Sequence, residues 1–417
     1  MTEIPFEDEH KDLLALAKMM EAAVPALAAR LGTWKNHLET GLGTATSPFS
    51  AESTLDEAVL ALRHVWLEAA ASSTSKSYRS PSEGERTVTP IGRFHNFGYE
   101  RDLQPTALET RCAKFFVSPP PGYTQEHALF SSGQAAMNAI LTLLSSRQTA
   151  PLRLCHEGCY FETIELLRLY AGRFEPASLE RADVVIAEPV WCDGKVFGTV
   201  SLKAIAERAG HAASIIVDST LSGLDDGLNG LLAALPGPKE VFRLHSGLKL
   251  FQAGLELADV GIVSIYGSAA ADELRHIRTL QGSGLRFADV AALELPAFLD
   301  PAATRAYENA IFQHNAALAD AARDNPVLRV AYPEGRAPFV IFNLPSASFY
   351  DGLDEKIAEE AARRSLVFTK GGSFGFRGHR FETVRPEGKA PFLRVALGRR
   401  SGPSFEGILE LFRAFAC

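Results

Sequence analysis

The hydrophobic positions in the N-terminal part of the chain recur with the period of an α-helix. Apolar residues return every three or four positions over residues 9–41 and 55–71, which predicts two amphipathic helical segments. The stretch between them, GLGTATSPFSAES, is rich in glycine, serine and threonine and is predicted to be a loop. Residues 72–90 are serine-rich with two prolines, which predicts an exposed connection or arm.

From about residue 110 the pattern changes to short apolar runs that alternate with helical segments. The predicted helices cover residues 134–145, FETIELLRLYA and LKAIAERAG, and the predicted strands are LRLC, ADVVIAEP, SIIVD, VFRLH and VGIVSIY. Strands that are apolar on both faces and alternate with helices indicate the α/β class, with a mostly parallel sheet covered on both sides.

The last part of the chain has a different order of elements. Predicted helices at about 301–324, at 353–364 and from about 403 are combined with the strands VLRVAYP, PFVIFNLP, LVFTKG and FLRVALG. This pattern predicts a smaller α+β unit. We therefore divide the chain into an N-terminal helical region with its arm (1–108), a large α/β domain (109–292) and a small C-terminal α+β domain (293–417).

Composition excludes several classes of protein. The 417 residues are 46% hydrophobic and 22% charged with a net charge of −8, which is ordinary for a globular protein and unlike a basic nucleic-acid surface. No apolar run reaches the roughly 20 residues that a membrane span requires. The N-terminus, MTEIPFEDEHKD, is acidic and unlike a secretory signal. We expect no membrane or nucleic-acid partner.

The cysteines favour a reducing compartment. There are five, an odd and scattered set, so we expect buried thiols and a cytoplasmic location. Cys155, His156 and Cys159 resemble half of a zinc site, but no second pair stands at a suitable spacing, so we expect no metal.

Polar residues follow several of the predicted strands, at the sheet edge where α/β proteins bind ligands. Ser132 and Gly133 lie in the turn FSSGQAAMNAI, whose free amide groups either bind a phosphate or are simply capped by serine. Asp218 follows SIIVD, where a carboxylate either caps the next helix or faces a site. Lys249 follows VFRLHSG, where it either has a chemical role or reaches solvent.

Together these residue types indicate one kind of chemistry. A lysine can form a Schiff base with a carbonyl cofactor, and an aspartate can keep a pyridine nitrogen protonated. Tyr160, near the end of LRLC, is either a ring that stacks on the cofactor or a core aromatic. With a phosphate turn nearby, the implied cofactor is pyridoxal 5′-phosphate (PLP).

Several motifs in this order resemble the PLP-dependent cystathionine γ-synthase and γ-lyase family of fold type I, from about residue 97 to the C-terminus. The motifs are YERDLQPTALE, SSGQAA, YFET, VDST, HSGLK, NPVLRVAYP and FLRVALG. The resemblance implies the PLP-dependent transferase fold of type I. It also implies a homodimer or homotetramer with a shared active site, because Tyr99 and Arg101 would reach the phosphate of the neighbouring subunit.

The resemblance also implies roles for residues within one subunit. It assigns the cofactor phosphate to Ser132, Gly133, Gln134 and Ser246. It assigns Lys249 to the cofactor carbonyl and to proton transfer, Asp218 to the pyridine nitrogen, and Tyr160 to the face of the ring. Arg394 would bind the substrate α-carboxylate.

The substrate side departs from the family pattern. Leu248 replaces a threonine, Trp191 or a neighbour replaces an asparagine, and KGGSFGFRGHR replaces the usual substrate loop. In that loop Ser373, Arg377 and His379 either line a substrate pocket or are solvated, and we take Ser373 as a substrate-binding candidate. Trp191 is either a pocket wall or part of the core.

The expected function is therefore γ-elimination or γ-replacement on an amino acid with a leaving group at Cγ, of the homoserine ester, cystathionine, methionine or S-adenosylmethionine type. A specialised biosynthetic role would fit the departures. The alternatives are a PLP-dependent β-lyase or aminotransferase, and a non-catalytic scaffold with this fold. A Rossmann nucleotide-binding enzyme is disfavoured, since no G-x-G-x-x-G turn follows the first strand.

Overall fold

The computed structural model describes residues 6–74, 87–333, 335–386 and 388–415, so most of the predicted arm lies outside the described residues. The α-helices are α1 (Glu7–Ala23), α2 (Ala28–Thr44), α3 (Pro48–Thr74), α4 (Thr106–Phe115), α5 (Gly133–Ser146), α6 (Phe161–Leu169), α7 (Leu202–Ala209), α8 (Leu228–Ala234), α9 (Gly247–Leu250), α10 (Ala271–Gln281), α11 (Phe287–Leu293), α12 (Pro301–Ala321), α13 (Leu353–Arg363) and α14 (Pro403–Arg413). The strands are β1 (Thr87–Val88), β2 (Phe94–His95), β3 (Gln125–Phe130), β4 (Leu152–Glu157), β5 (Phe174–Pro176), β6 (Val184–Ala187), β7 (Val190–Cys192), β8 (Phe197–Thr199), β9 (Ser214–Asp218), β10 (Glu240–Ser246), β11 (Gly261–Tyr266), β12 (Arg329–Ala331), β13 (Val340–Asn343), β14 (Phe368–Lys370), β15 (His379–Val384) and β16 (Phe392–Ala396).

Two sequence predictions for the N-terminal helices were wrong in detail. The helical segment over 9–41 is broken into α1 and α2, because Pro25 has no amide hydrogen to continue the first helix. The loop predicted before the second segment is also shorter than expected. Pro48 occupies the first position of α3, and the Ser47 hydroxyl caps that helix by accepting from the amide of Ser50 at 3.1 Å.

The large sheet has seven strands in the order β3-β11-β10-β9-β6-β4-β5. Strand β11 runs antiparallel to both neighbours, and the pairs from β10 to β5 are parallel. Helices α5 and α10 pack on one face and α7 and α8 on the other. The mostly parallel sheet covered on both sides, predicted from the apolar runs, is therefore confirmed.

The smaller sheet has five strands in the order β12-β13-β16-β15-β14, and helices α12, α13 and α14 pack against it. Strand β15 was not predicted, because its first two residues were assigned to the loop 370–380 and the following FETV to no element. Only the parallel pairing of β14 with β15 departs from the antiparallel pattern of this sheet. The domain boundaries proposed from the sequence stay a prediction.

The N-terminal helices are packed onto the rest of the molecule. Leu13, Leu62 and Trp66 are fully buried, and the Trp66 indole donates to the carbonyl of Ala292 at 2.8 Å, which ties α3 to α11. Within the described ranges, no helix combines the length and the apolar character needed to cross a membrane.

Candidate active site

A cavity of about 450 Å³ lies where the carboxyl ends of the parallel strands face the smaller sheet, and we call it the strand-end cavity. Most of the sequence-predicted site residues line it: Ser132, Gly133, Gln134, Tyr160, Asp218, Ser246, Lys249 and Arg394. A wider and shallower depression of about 740 Å³ beside α4 and α10 contains none of the predicted residues. The strand-end cavity is therefore the candidate active site.

The N-terminus of α5 opens into this cavity. Ser132 is the N-cap, and its hydroxyl accepts from the amide of Ala135 at 3.0 Å. A Cβ atom at Gly133 would lie 3.3 Å from the Cβ of Ser246, so a side chain here would crowd the end of β10. The fourteen-residue helix directs its free amide groups and the positive end of its dipole at the cavity, which suits an anion such as phosphate.

Lys249 lies on the short helix α9, directly after β10. Its Nζ is 3.4 Å from the Ser373 hydroxyl and 5.1 Å from the centre of the Phe374 ring. Burial lowers the pKa of the Lys249 ammonium, although the carboxylate of Glu256 opposes the shift. The lowered pKa increases the fraction of neutral amine, which is the form that attacks a carbonyl or removes a proton.

Asp218 ends β9, and its Oδ1 accepts from the amide of Thr220 at 3.0 Å. Burial raises the pKa of Asp218, and this hydrogen bond opposes the shift. Among the described residues, no cationic side chain forms an ion pair with this carboxylate within 4 Å. A positively charged group bound in the cavity would stabilise its ionised form.

A second buried carboxyl was not predicted. Glu188 follows β6, lines the cavity and accepts from the amide of Tyr160 at 2.5 Å. Burial and the nearby charge of Asp218 raise the pKa of Glu188 well above its usual range. Glu188 is therefore harder to ionise than an exposed glutamate. Its place directly after the apolar run ADVVIA was the signal that could have revealed it.

The aromatic residues of this region have different positions. Tyr160 is the N-cap of α6 and lines the cavity, with its ring centre 4.5 Å from that of Phe161. Trp191 instead packs against two glycines, since a Cβ at Gly158 or Gly198 would lie 2.2 or 2.5 Å from its ring atoms. Trp191 is half-buried and does not line the cavity, whereas the neighbouring Cys192 does.

Arg394 lies on β16 opposite Glu382 on β15. Its Nη2 donates to Glu382 Oε2 at 2.6 Å and also to the carbonyl of Gly372. Both side chains line the cavity. The arginine predicted to bind a substrate carboxylate is thus already paired with a carboxylate of the chain. Sequence reasoning missed Glu382 because β15 was not predicted.

Ser373 is not a lining residue but contacts Lys249, which lines the cavity. The other predicted residues do not line the cavity. Arg377 and His379 are fully buried, so neither of the two roles considered for them, pocket lining and solvated loop, was right. Tyr99 is 63% exposed, and the side chain of Arg101 is 61% exposed with its guanidinium 5.4 Å from the Tyr99 ring centre. Contact of these two residues with a neighbouring subunit stays a prediction.

Comparison with known proteins shows the fold. No family model and no curated protein matches this sequence. The chain is similar to the methionine γ-lyase CalE6 from Micromonospora echinospora, with 21% identity, a TM-score of 0.57, and 77% of this chain and 89% of that chain covered.

Two further solved structures agree. A cystathionine γ-lyase from Lactobacillus plantarum in complex with L-serine has 16% identity, a TM-score of 0.56 and 81% and 91% coverage of this and that chain. A cystathionine γ-synthase from Xanthomonas oryzae pv. oryzae in complex with cystathionine has 16% identity, a TM-score of 0.56 and 84% and 97% coverage. The predicted PLP-dependent transferase fold of type I is confirmed. The resemblance to the cystathionine γ-synthase and γ-lyase family is confirmed at the level of the fold.

Proposed function

We propose that this chain is a PLP-dependent enzyme that performs γ-elimination or γ-replacement on an amino acid with a leaving group at Cγ. A homoserine ester, cystathionine, methionine or S-adenosylmethionine would be of this type. The observation that carries the proposal is the meeting of four groups in one cavity: a half-buried lysine, a half-buried carboxylate, a helix N-terminus and an arginine.

The lining of the strand-end cavity fits the cofactor. The amide groups of Gly133 and Gln134 at the start of α5, with the hydroxyl of Ser246, would hold the phosphate. Asp218 has no cationic partner of its own among the described residues and would hold a protonated ring nitrogen. Tyr160 offers an aromatic face, and Lys249 lies in the same cavity.

Bound PLP would supply a carbonyl for the substrate amine and an electron-withdrawing ring. The residues of the chain then have separate tasks. Lys249, with its lowered pKa, removes the proton from the substrate Cα and returns it at a neighbouring carbon, as chemistry at Cγ requires. Asp218 stabilises positive charge at the ring nitrogen, and Arg394 binds the substrate α-carboxylate.

The assembly and location belong to the same proposal. Tyr99 and Arg101 are exposed, which suits the expected contribution to the cavity of a second copy of the chain. The four cysteines among the described residues are buried and free, in keeping with a reducing cytoplasm.

The test is an absorption spectrum of the purified protein after addition of PLP, followed by amino acids one at a time and analysis of the products. We expect a visible band of protein-bound PLP that changes with an amino acid of the proposed class. Release of a keto acid with ammonia, or of a substitution product at Cγ, would support the reaction.

Two variants make this test specific. Lys249→Ala should lose the band and turnover, whereas Lys203→Ala, at a lysine whose side chain is 73% exposed, should keep both. Absence of a band in the unaltered protein would favour the non-catalytic scaffold. A keto acid formed without ammonia would indicate an aminotransferase, and elimination from substrates with only a Cβ leaving group would indicate a β-lyase.

A further inference from the structure

The ion pair between Arg394 and Glu382 has a consequence for the substrate. The two residues are direct partners in the ladder between β16 and β15, so their side chains project from adjacent backbone positions. The Nη2–Oε2 distance is 2.6 Å, and the carbonyl of Gly372 accepts from the same nitrogen. Glu382 therefore neutralises the positive charge of Arg394, which a substrate carboxylate would need.

A ligand that has a carboxylate as its only charged group would pair with Arg394 and break the ion pair between Arg394 and Glu382. Glu382 would then remain in the cavity as a charge without a partner, and an unpaired charge shielded from water is unfavourable. Its side chain is 32% exposed, so water can compensate only part of this loss. A ligand that brings both a carboxylate and a cation would give each of the two residues a new partner.

The surroundings of Glu382 suit a cation from the ligand. The nearest lysine of the same sheet, Lys370, is engaged with Asp354 at 2.9 Å. Phe339 and Phe374 line the cavity on the same side, with ring centres 5.1 Å apart, and the guanidinium of Arg394 is 5.7 Å from the Phe339 ring centre. Aromatic faces together with a carboxylate stabilise ammonium and sulfonium groups.

We propose, on the basis of the proposed function, that Glu382 determines specificity and that the substrate is an amino acid with a second, cationic group in its side chain. The α-carboxylate of the substrate pairs with Arg394, and the side-chain cation pairs with Glu382. The shared chemistry is a positive charge, carried by an ammonium or a sulfonium group.

Isothermal titration calorimetry on the full chain, with and without PLP, tests this with matched ligands. S-methyl-L-methionine is compared with L-methionine for the sulfonium, and L-ornithine with L-norvaline for the ammonium. We expect at least one cationic ligand to bind about tenfold more tightly than its neutral match. Glu382→Gln should remove that preference, chiefly because the neutral ligand then binds more tightly.

Two further variants complete the experiment. Glu162→Gln removes another carboxylate that lines the cavity, and Glu359→Gln changes an exposed residue of α13. Both should keep the preference, and thermal unfolding should show all variants folded. Equal affinities within both ligand pairs, or an equal loss of preference in Glu162→Gln and Glu382→Gln, would overturn the role of Glu382.

A visible PLP band with no charge preference would leave the proposed function standing, whereas charge preference without a band would refute only the PLP assignment.

Discussion

Arg377 and Arg394 lie close in the sequence but in opposite surroundings. The Arg377 guanidinium is fully buried and donates to Glu9 at 2.8 and 2.6 Å, to Asp12 at 2.6 Å and to the carbonyl of Ala253 at 2.8 Å. Arg394 is partly exposed within the strand-end cavity and has one carboxylate partner, Glu382. The first arginine has no position left for a ligand, whereas the second can exchange its partner.

The loop 371–378 is fixed to the fold at one end and contacts the candidate site at the other. Arg377 attaches the loop 371–378 to α1, and Tyr307 supports the same loop by donating to the carbonyl of Phe376 at 3.0 Å. The other end of the loop carries Ser373 and Phe374, which contact Lys249. The N-terminal helices therefore hold in place a loop that forms part of the cavity wall.

The largest effect is expected at the buried arginine. Arg377→Ala should lower the free energy of unfolding by about 3–5 kcal/mol, because it leaves the buried carboxylate of Glu9 without its partner. Denaturation in urea measures this effect. Arg323→Ala, at an arginine whose side chain is 72% exposed, is the matched control and should change it by less than about 0.5 kcal/mol. Equal effects of the two substitutions would contradict the structural role of Arg377.

The opposite result is expected at the cavity arginine. Arg394→Ala should reduce kcat/KM about 100-fold, because charged hydrogen bonds to the substrate carboxylate contribute about 1.5–3 kcal/mol each. The free energy of unfolding should fall by only about 1 kcal/mol, since the ion pair with Glu382 is partly exposed. Steady-state kinetics measures the effect on kcat/KM, and urea denaturation measures the effect on the free energy of unfolding. A large loss of stability with an unchanged KM would contradict the substrate-binding role and indicate that Arg394, like Arg377, is structural.

The pH dependence of stability should report on the buried ion pair of Arg377 with Glu9. Although burial raises the pKa of Glu9, Arg377 together with Arg400 and Arg399 outweighs this effect and holds that pKa at about 2, below the usual 4.5. A lowered pKa in the folded state stabilises the fold above about pH 4.5, and this stability is lost as the pH falls towards 2. Glu9→Gln should remove about 3 kcal/mol of this dependence, which urea denaturation at a series of pH values measures.

The smallest effect is expected at the contact between the loop and the lysine. Ser373→Ala removes a hydroxyl that lies 3.4 Å from Lys249 Nζ, a long hydrogen bond. We expect kcat to change by about twofold and the acidic limb of its pH profile to shift slightly. A tenfold loss of kcat would give Ser373 a direct role in proton transfer, which its distance does not indicate.

The sequence by itself determined the α/β class, the mostly parallel sheet and most of the predicted residues that line the candidate site. Asp218 and Lys249 each follow a predicted strand, and the carboxyl ends of parallel strands meet at one sheet edge whatever the details of packing. Glu188 follows the same rule and was predictable in the same way. Ser132 was predicted from its turn at the start of a helix.

Only the tertiary structure decided which carboxylate each arginine contacts. Glu9 and Arg377 are separated by 368 positions, and Glu382 faces Arg394 only because β15 forms and pairs with β16. No local pattern distinguishes an arginine that will be buried from one that will face a cavity. That outcome depends on which distant carboxylate the folded chain brings within hydrogen-bonding distance and on how much water remains around the pair.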